Sequence, residues 1–169
     1  MTRGLNPPHL LLAAPNPMKM IRNLNHLLEQ QELAKLTAEL DRNVVALFSL
    51  GQSHFQFASG LDDTDWRQKI SRLYYAVYNV RRAVTLKHSG VFSTESSDHK
   101  NVNLLPPSVG NRESHISHLN DLREDRNLAD YSHLAEIADL IISTDDALAF
   151  ARQFMTDCRQ FLAQEGLII

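Results

Sequence analysis

The stretch from Trp66 to Val84 restricts the fold more than any other part of the chain. Its apolar residues recur at alternating steps of four and three, at Trp66, Ile70, Leu73, Val77, Val80 and Val84. On an α-helix these steps place one continuous apolar stripe on one face. The pattern therefore predicts a buried helix that runs from about Asp65 to His88.

Three further segments show the same helical periodicity. The first carries Leu33, Leu36, Leu40, Val44, Leu47 and Phe48, with Gly51 as a weak point near its end. Another starts near Arg112, and the last begins at Ser143 and stops near Gly166. No segment has comparable β-strand character. The sequence predicts an all-α fold, an up-and-down helical bundle of four main helices plus short helical pieces.

The predicted bundle spans residues 26–165, with a flexible N-terminal arm at 1–25 and a C-terminal tail at 166–169. Four prolines within the first seventeen residues argue against a regular helix there. The arm is either a flexible extension or an over-long start, with Met18 or Met20 as the initiator. Residues 89–111 form a long connection, which is either functional or merely tucks short turns against the bundle, as Val91–Phe92 and Leu104–Leu105 suggest.

The third helix allows two interpretations. Ile116, Leu119, Leu122, Arg126, Ala129 and His133 share one stripe, which Ile137 and Leu140 continue. Either the helix runs unbroken to about Ile141, or it ends near Asp130–Ser132 and a short helical piece follows. In both cases Arg126 occupies a core-like position, where an arginine is costly unless it has a partner.

Composition narrows the functional classes. The net charge of −3 argues against a surface that coats DNA, so a nucleic-acid contact should come from a local cluster of arginines. The single cysteine, Cys158, excludes an intrachain disulfide and indicates a reducing compartment. Without a long apolar run or a convincing signal peptide, we expect a cytoplasmic protein with no membrane contact. The arginines that could form the local nucleic-acid contact are Arg72, Arg81, Arg82, Arg123 and Arg126.

Arg126 and His133 are the candidate catalytic pair. RNA cleavage by the RNA's own 2′-hydroxyl needs a group of near-neutral pKa to move protons and a fixed cation on the phosphate oxygens. A histidine and an arginine suit these roles. The structural alternative is an ordinary ion pair between Arg126 and Asp130, four residues apart, with His133 as a capping or packing residue.

Two motifs resemble the HEPN domain family of prokaryotes. They are Ser-Arg-x-Tyr-Tyr-Ala at residues 71–76 and Arg-Asn-x-Ala-Asp-Tyr at residues 126–131. The resemblance implies a compact, usually dimeric helical bundle. It also implies either a metal-independent RNase, for instance the toxin of a toxin-antitoxin or phage-defence system, or a non-catalytic module that partners a nucleotidyltransferase or another protein. The family's catalytic motif is an arginine, four to six residues of which the first is often polar, and then a histidine, and Arg126, Asn127 and His133 match it with six residues between arginine and histidine. In members with these two sequence motifs, a tyrosine often replaces the histidine at the shortest spacing, as Tyr131 does here, and such members are not all active nucleases.

Five further residues are predicted to bind the substrate, RNA or a nucleotide, or alternatively to form a structural network: Arg72, Tyr75, Asn127, Asp130 and Tyr131. His115 and His118 lie at zinc-ligand spacing, but without a cysteine cluster we predict no metal and no cofactor. The predicted partners are a cognate antitoxin or nucleotidyltransferase and a second copy of the chain. If Val80, Val84, Leu119 and Leu122 all point inward, the apolar stripes exceed what one small bundle buries, so we expect a symmetric homodimer with these helices near the interface.

Overall fold

The protein is an all-α helical bundle, as predicted. The computed structural model describes residues 14–92 and 96–169, and within these ranges it contains no β-strand. The five α-helices there are α1 Pro17–Leu24, α2 Gln30–Ser59, α3 Trp66–Ser89, α4 Arg112–Tyr131 and α5 Thr144–Gln164. Short 3-10 pieces lie at Asp63–Asp65, Ser96–Asn101 and Ile137–Asp139. None of the helices in the described ranges combines the length and apolar character needed to cross a membrane.

The central element is α3, which packs against α2, α4 and α5. The predicted stripe is confirmed, because Ile70, Leu73, Val77, Val80 and Val84 are completely buried. Burial of side chains this size stabilises the fold by roughly 1.5–3 kcal/mol each. Side chains on the remaining faces of α3 are therefore held on a rigid support.

Gly51 allows α2 and α3 to approach each other closely. A Cβ atom at this position would lie 2.7 Å from the carbonyl oxygen of Ala76 and 2.7 Å from Cγ2 of Val80. The glycine lies inside α2 without interrupting it. It is a contact point between two helices, so its interpretation as a weak point was wrong.

Helix α1 corrects the prediction of an arm up to residue 25. Asn16 accepts a hydrogen bond from the backbone N–H of Lys19 (2.8 Å) and donates to the carbonyl of Ser89 (2.9 Å). Pro17 then begins the helix, where its missing N–H is no loss. Met18, Met20 and Ile21 pack partly against the core. The prolines before residue 14 lie outside the described residues.

Helix α4 ends at Tyr131, so the second of the two interpretations is confirmed. Arg67 of α3 binds the chain at this end: it donates to the carbonyls of Ala129 and Ser132 (both 2.8 Å) and Ala135 (2.6 Å). Carbonyls at a helix C-terminus lack helical partners, and a cation there suits the helix dipole. His133 consequently lies beyond the helix and does not share its stripe with Arg126.

The four apolar residues on which the homodimer prediction depends are buried within one copy of the chain. Val80, Val84, Leu119 and Leu122 are 0% exposed, which leaves none of them available to a second copy. The reason is that α3 sits at the centre of one bundle and is covered by α2, α4 and α5. All four side chains point inward, as the homodimer prediction assumed, and a homodimer with α3 and α4 near its interface stays a prediction.

The connection after α3 packs against the bundle. Gly90 ends α3 in the left-handed conformation, with φ of 70°, and Val102, Leu105 and Val109 are buried. Arg81 donates to the carbonyl of Leu104 (3.3 Å). Of the residues expected to form tucked turns, Leu105 is buried and Phe92 is partly buried, whereas Val91 and Leu104 are 47% and 56% exposed, so the tucked turns are present only in part.

Candidate active site

Arg126 lies on α4 just before the helix ends and is the centre of the candidate site. Its Nη2 donates to the Tyr75 hydroxyl on α3 (2.7 Å), and its Nη1 donates to Oδ1 of Asn127 (3.2 Å). The guanidinium carbon also lies 5.5 Å from the ring centroid of Tyr74 and 5.3 Å from that of Tyr131. A cation in this position is attracted by the ring faces.

Asp130 provides the counter-charge. Its Oδ2 lies 2.8 Å from Nε of Arg126, although the Nε–H bond is not aligned as a hydrogen bond. Burial by itself lowers the pKa of Arg126, but the hydrogen bond to Tyr75 and the nearby Asp130 outweigh that effect and raise it. Arg126 therefore remains a fixed cation, and the predicted ion pair with Asp130 is present.

His99 is the histidine that lies against this cluster. One ring nitrogen, Nδ1, lies 2.8 Å from the Tyr74 hydroxyl. The ring stacks on Tyr78 at a centroid distance of 4.3 Å and meets Tyr75 edge-on at 6.2 Å. Burial, and then the positive charge of Arg126, lower the pKa of His99. A neutral imidazole at neutral pH is thus held beside a fixed cation.

A buried ion pair positions His99. Arg81 of α3 contacts Asp98 at 3.2 Å, and the Tyr78 hydroxyl donates to the same carboxylate at 3.0 Å. Burial raises the pKa of Tyr78 to about 12, so the hydroxyl stays protonated and continues to donate. Because Asp98 directly precedes His99, this pair fixes the short 3-10 piece on α3.

A cleft of about 380 Å³ opens between α3 and α4 next to Arg126. Its lining consists of Arg67, Gln68, Ser71, Arg72, Tyr75, Ala129 and Asp130. Arg72 stands at its rim, where Nη1 lies 3.3 Å from Nδ1 of His54 and the guanidinium covers the Phe57 ring at 5.4 Å. Burial, followed by the charge of Arg72, lowers the pKa of His54.

The predicted site residues divide into two groups. Arg126 contacts Tyr75, Asn127, Asp130 and Tyr131 directly, and Arg72 shares the cleft with two of them. His133 is exposed beyond the end of α4, and within the described part of the chain no hydrogen bond or ion pair joins it to Arg126.

Sequence reasoning did not assign roles to Tyr74, His54 or Asp98, and it held His99 only in reserve, as an additional zinc ligand or as a substitute for His133 in catalysis. The one available signal was the pair Tyr74 and Tyr78, four residues apart on a core helix. Two buried hydroxyls there need polar partners. The chain supplies them as His99 and Asp98.

A second histidine cluster lies at the other end of α4. His115 Nε2 contacts Oδ2 of Asp157 at 2.8 Å, while His118 Nδ1 contacts the carbonyl of Ser114 at 2.8 Å. One ring nitrogen of each imidazole thus has a protein partner. Across residues 14–92 and 96–169, no group of three histidine, cysteine or acidic side chains is arranged to hold a metal ion.

Comparison with known proteins adds no relative. No family model matches the chain, and neither a curated protein nor a solved structure matches it. The chemistry of the residues around Arg126 is therefore the basis for assigning a function.

Proposed function

We propose that this protein is a metal-independent endoribonuclease of the HEPN type. The observation that supports the proposal is the pairing of a charged arginine with a neutral histidine: Arg126 and His99 meet through Tyr74 and Tyr75, and Tyr75 also lines the cleft. A fixed cation and a proton-accepting imidazole are the two groups that cleavage by the 2′-hydroxyl requires.

In the proposed reaction His99 removes the proton of the 2′-hydroxyl through Nε2. Its other nitrogen is held by Tyr74, which orients the ring. The 2′-oxygen then attacks the adjacent phosphorus, and Arg126 stabilises the negative charge that develops on the phosphate oxygens. The bond to the 5′-oxygen breaks, and that oxygen takes up a proton from water as it leaves, while His99 returns its proton to the solvent. The products are a 2′,3′-cyclic phosphate, which can open to a 3′-phosphate, and a 5′-hydroxyl.

Two histidines compete for the proton-transfer role. The motif spacing favours His133, whereas the ring contacts and the lowered pKa favour His99. Arg126 is common to both versions, so the function can be tested before the histidine is identified.

The first test is cleavage of a mixed-sequence single-stranded RNA by the purified protein in EDTA. We expect cleavage without added metal, products with 2′,3′-cyclic or 3′-phosphate ends, and no cutting of the matching DNA, which lacks the 2′-hydroxyl. Arg126→Ala should reduce the rate by roughly 10²- to 10³-fold, the usual cost of losing a preorganised charge-stabilising donor.

Arg159→Ala is the matched control, because Arg159 is also an arginine over an aromatic ring, at 5.3 Å from Phe48, but lies on α5. Far-UV circular dichroism should show full helix content in both variants. Activity that disappears with EDTA and returns with zinc or magnesium would contradict the proposal. Growth arrest on expression, relieved by Arg126→Ala, would support a role as the toxin of a toxin-antitoxin or phage-defence pair.

A binding module of the same fold is the alternative, and one feature favours it. The segment after α4 exposes large apolar side chains, with Tyr131 at 72% and Leu134 at 82%, and Ile137 and Ile141 add to this surface. Exposed apolar clusters commonly mark sites of protein association. A partner such as a nucleotidyltransferase, or a second copy, would cover this segment.

Sedimentation separates the alternatives. A dimer at tens of micromolar that dissociates in Leu134→Ser, but not in Leu27→Ser, would assign the segment to self-association, since Leu27 is a similarly exposed leucine elsewhere. A protein that cuts no RNA and in which Arg126→Ala mainly lowers the melting temperature would favour the binding module.

A further inference from the structure

The cleft beside Arg126 has unused hydrogen-bonding groups. Within residues 14–92 and 96–169, the Gln68 amide and the Ser71 hydroxyl make no hydrogen bond to the protein, yet both line the cleft. The amide offers two donors and an acceptor, and the hydroxyl offers one donor and two acceptor positions. Arg67 already donates three hydrogen bonds to carbonyls at the end of α4 and forms a wall of the cleft.

The rim of the cleft combines a cation with aromatic rings. Arg72 covers Phe57, a side chain that is 55% exposed, and contacts His54, whose ring lies 5.8 Å from Tyr75. These contacts leave other N–H groups of the Arg72 guanidinium available at the rim. Planar guanidinium and aromatic groups are the surfaces on which proteins stack unpaired bases.

The cleft is continuous with the Arg126 site. Tyr75 lines the cleft and accepts the hydrogen bond from Arg126, and Asp130 lines it and forms the ion pair. Its volume of about 380 Å³ lies in the range of roughly 300–1,000 Å³ that is usual for small-ligand clefts. A planar base fits such a space, and its own phosphate would then lie next to Arg126.

We propose that this cleft binds one unpaired nucleobase of the RNA, stacked against Arg72 and read along its edge by Gln68 and Ser71. The inference rests on the proposed function and adds the substrate class, single-stranded RNA. A base inside a duplex is paired and stacked on both sides, so its edge cannot reach the amide of Gln68.

The test is binding of fluorescent 12-nucleotide RNAs, 2′-O-methylated so that cleavage is blocked, measured by anisotropy at low salt. The probes are a mixed-sequence single strand, the four homopolymers and a hairpin duplex. Arg72→Ala and Gln68→Ala should each weaken single-strand binding about tenfold, as expected for loss of one stacked or recognised base. Gln68→Ala should also reduce differences among the homopolymers.

The chain provides a matched control for each variant. Arg152 covers Phe55 at 5.2 Å on the opposite side of α2, so Arg152→Ala removes the same charge and the same type of ring contact. Gln160 is an exposed glutamine of α5, and Gln160→Ala controls for the amide. Both controls should bind within twofold of the wild type.

The outcomes separate this inference from the proposed function. If the wild type cuts RNA while Arg72→Ala and Gln68→Ala bind and cut as the controls do, the cleft is not a base site and the nuclease stands. If Arg72→Ala and Gln68→Ala weaken RNA binding while both controls bind as the wild type does, but no RNA is cut, the base site is supported and the nuclease proposal is contradicted. Equal affinity for the hairpin, or no RNA binding by the wild type, would overturn the inference.

Discussion

The two ends of α4 each hold a polar network, and the networks differ in how much of their bonding capacity the protein uses. At the first end, which we call the Asp157 network, the carboxylate accepts hydrogen bonds from Asn111 (2.9 Å), His115 (2.8 Å) and Gln153 (2.9 Å). At the other end, the Arg126 site comprises Tyr74, Tyr75, His99, Arg126 and Asp130. There Nε of Arg126 has no aligned acceptor in the described part of the chain, and His99 has a lowered pKa.

Because of this difference, we take the Asp157 network as structural and propose a functional role for the Arg126 site. A buried polar group that is fully satisfied rigidifies a core, as Asp157 does between α4 and α5. The Arg126 site, by contrast, lies beside an open cleft and contains unused donors, a neutral imidazole and a fixed cation. Such groups are arranged to bind an external ligand. Both networks contain a histidine and a carboxylate, so residue types alone do not distinguish them.

The largest expected effect tests the histidine of the Arg126 site. His99→Ala should lower the rate of RNA cleavage by roughly 10²- to 10⁴-fold, the usual contribution of a general base. His133→Ala should stay near the wild-type rate if His99 holds the role, and His26→Ala serves as an exposed control. Loss of activity in His133→Ala with full activity in His99→Ala would return the role to the motif histidine.

That comparison also shows what the sequence could and could not provide. Residues 66–84 identified α3 because helical periodicity is a direct consequence of burial on one face. His99 lies in a short 3-10 piece within a connection rich in serine and asparagine, where no periodicity marks which side chain faces inward. Its position depends on the buried contact of Asp98 with Arg81, seventeen residues away.

The end of α4 and the start of α1 illustrate the same limit. The apolar stripe on α4 continues past Tyr131 in the sequence, but Arg67 binds the carbonyls that an unbroken helix would use. Helix α1 was missed because Pro17 was counted as a helix breaker, although it occupies the first turn, where proline is favourable. Both outcomes depend on contacts between residues far apart in the chain.

The second prediction concerns stability at the Asp157 network. Asp157→Ala leaves three donors without their acceptor and should lower the free energy of unfolding by roughly 2–3 kcal/mol. For a chain of this size the melting temperature should fall by roughly 4–12 °C. Asp62→Ala removes an exposed carboxylate and should change the melting temperature little.

RNA cleavage by Asp157→Ala, measured well below its melting temperature, should equal that of the wild type. Calorimetry and single-turnover cleavage of the same preparations provide the check. If Asp157→Ala loses activity without losing stability, the Asp157 network is not purely structural.

The smallest expected effect is a difference between the two networks in how they respond to pH. Burial raises the pKa of Asp157, but hydrogen bonds from Asn111 and His115 outweigh it and lower the pKa overall. The folded-state value is thus below the unfolded one, so this stabilisation is present above about pH 4 and is lost as the pH falls further. For His99 the lowered pKa moves protonation below about pH 6.5.

Between pH 8 and pH 5 the rate of cleavage should therefore decline only below about pH 6.5, by at most tenfold per pH unit, while Asp157 contributes unchanged stability. Denaturant titrations from pH 6 to pH 3 should show the additional loss of stability below about pH 4 in the wild type but not in Asp157→Ala. A rate that is constant down to pH 5 would contradict the role of His99.

The close contact between α2 and α3 at Gly51 limits how the site can change in evolution. His54 lies on α2 and Arg72 on α3, and their 3.3 Å contact spans the two helices that meet at this glycine. A methyl group at residue 51 would force Ala76 and Val80 away by several tenths of an ångström, and the rim of the cleft would widen with them. A residue that never touches the ligand thus limits the sequences in which His54 and Arg72 can act together.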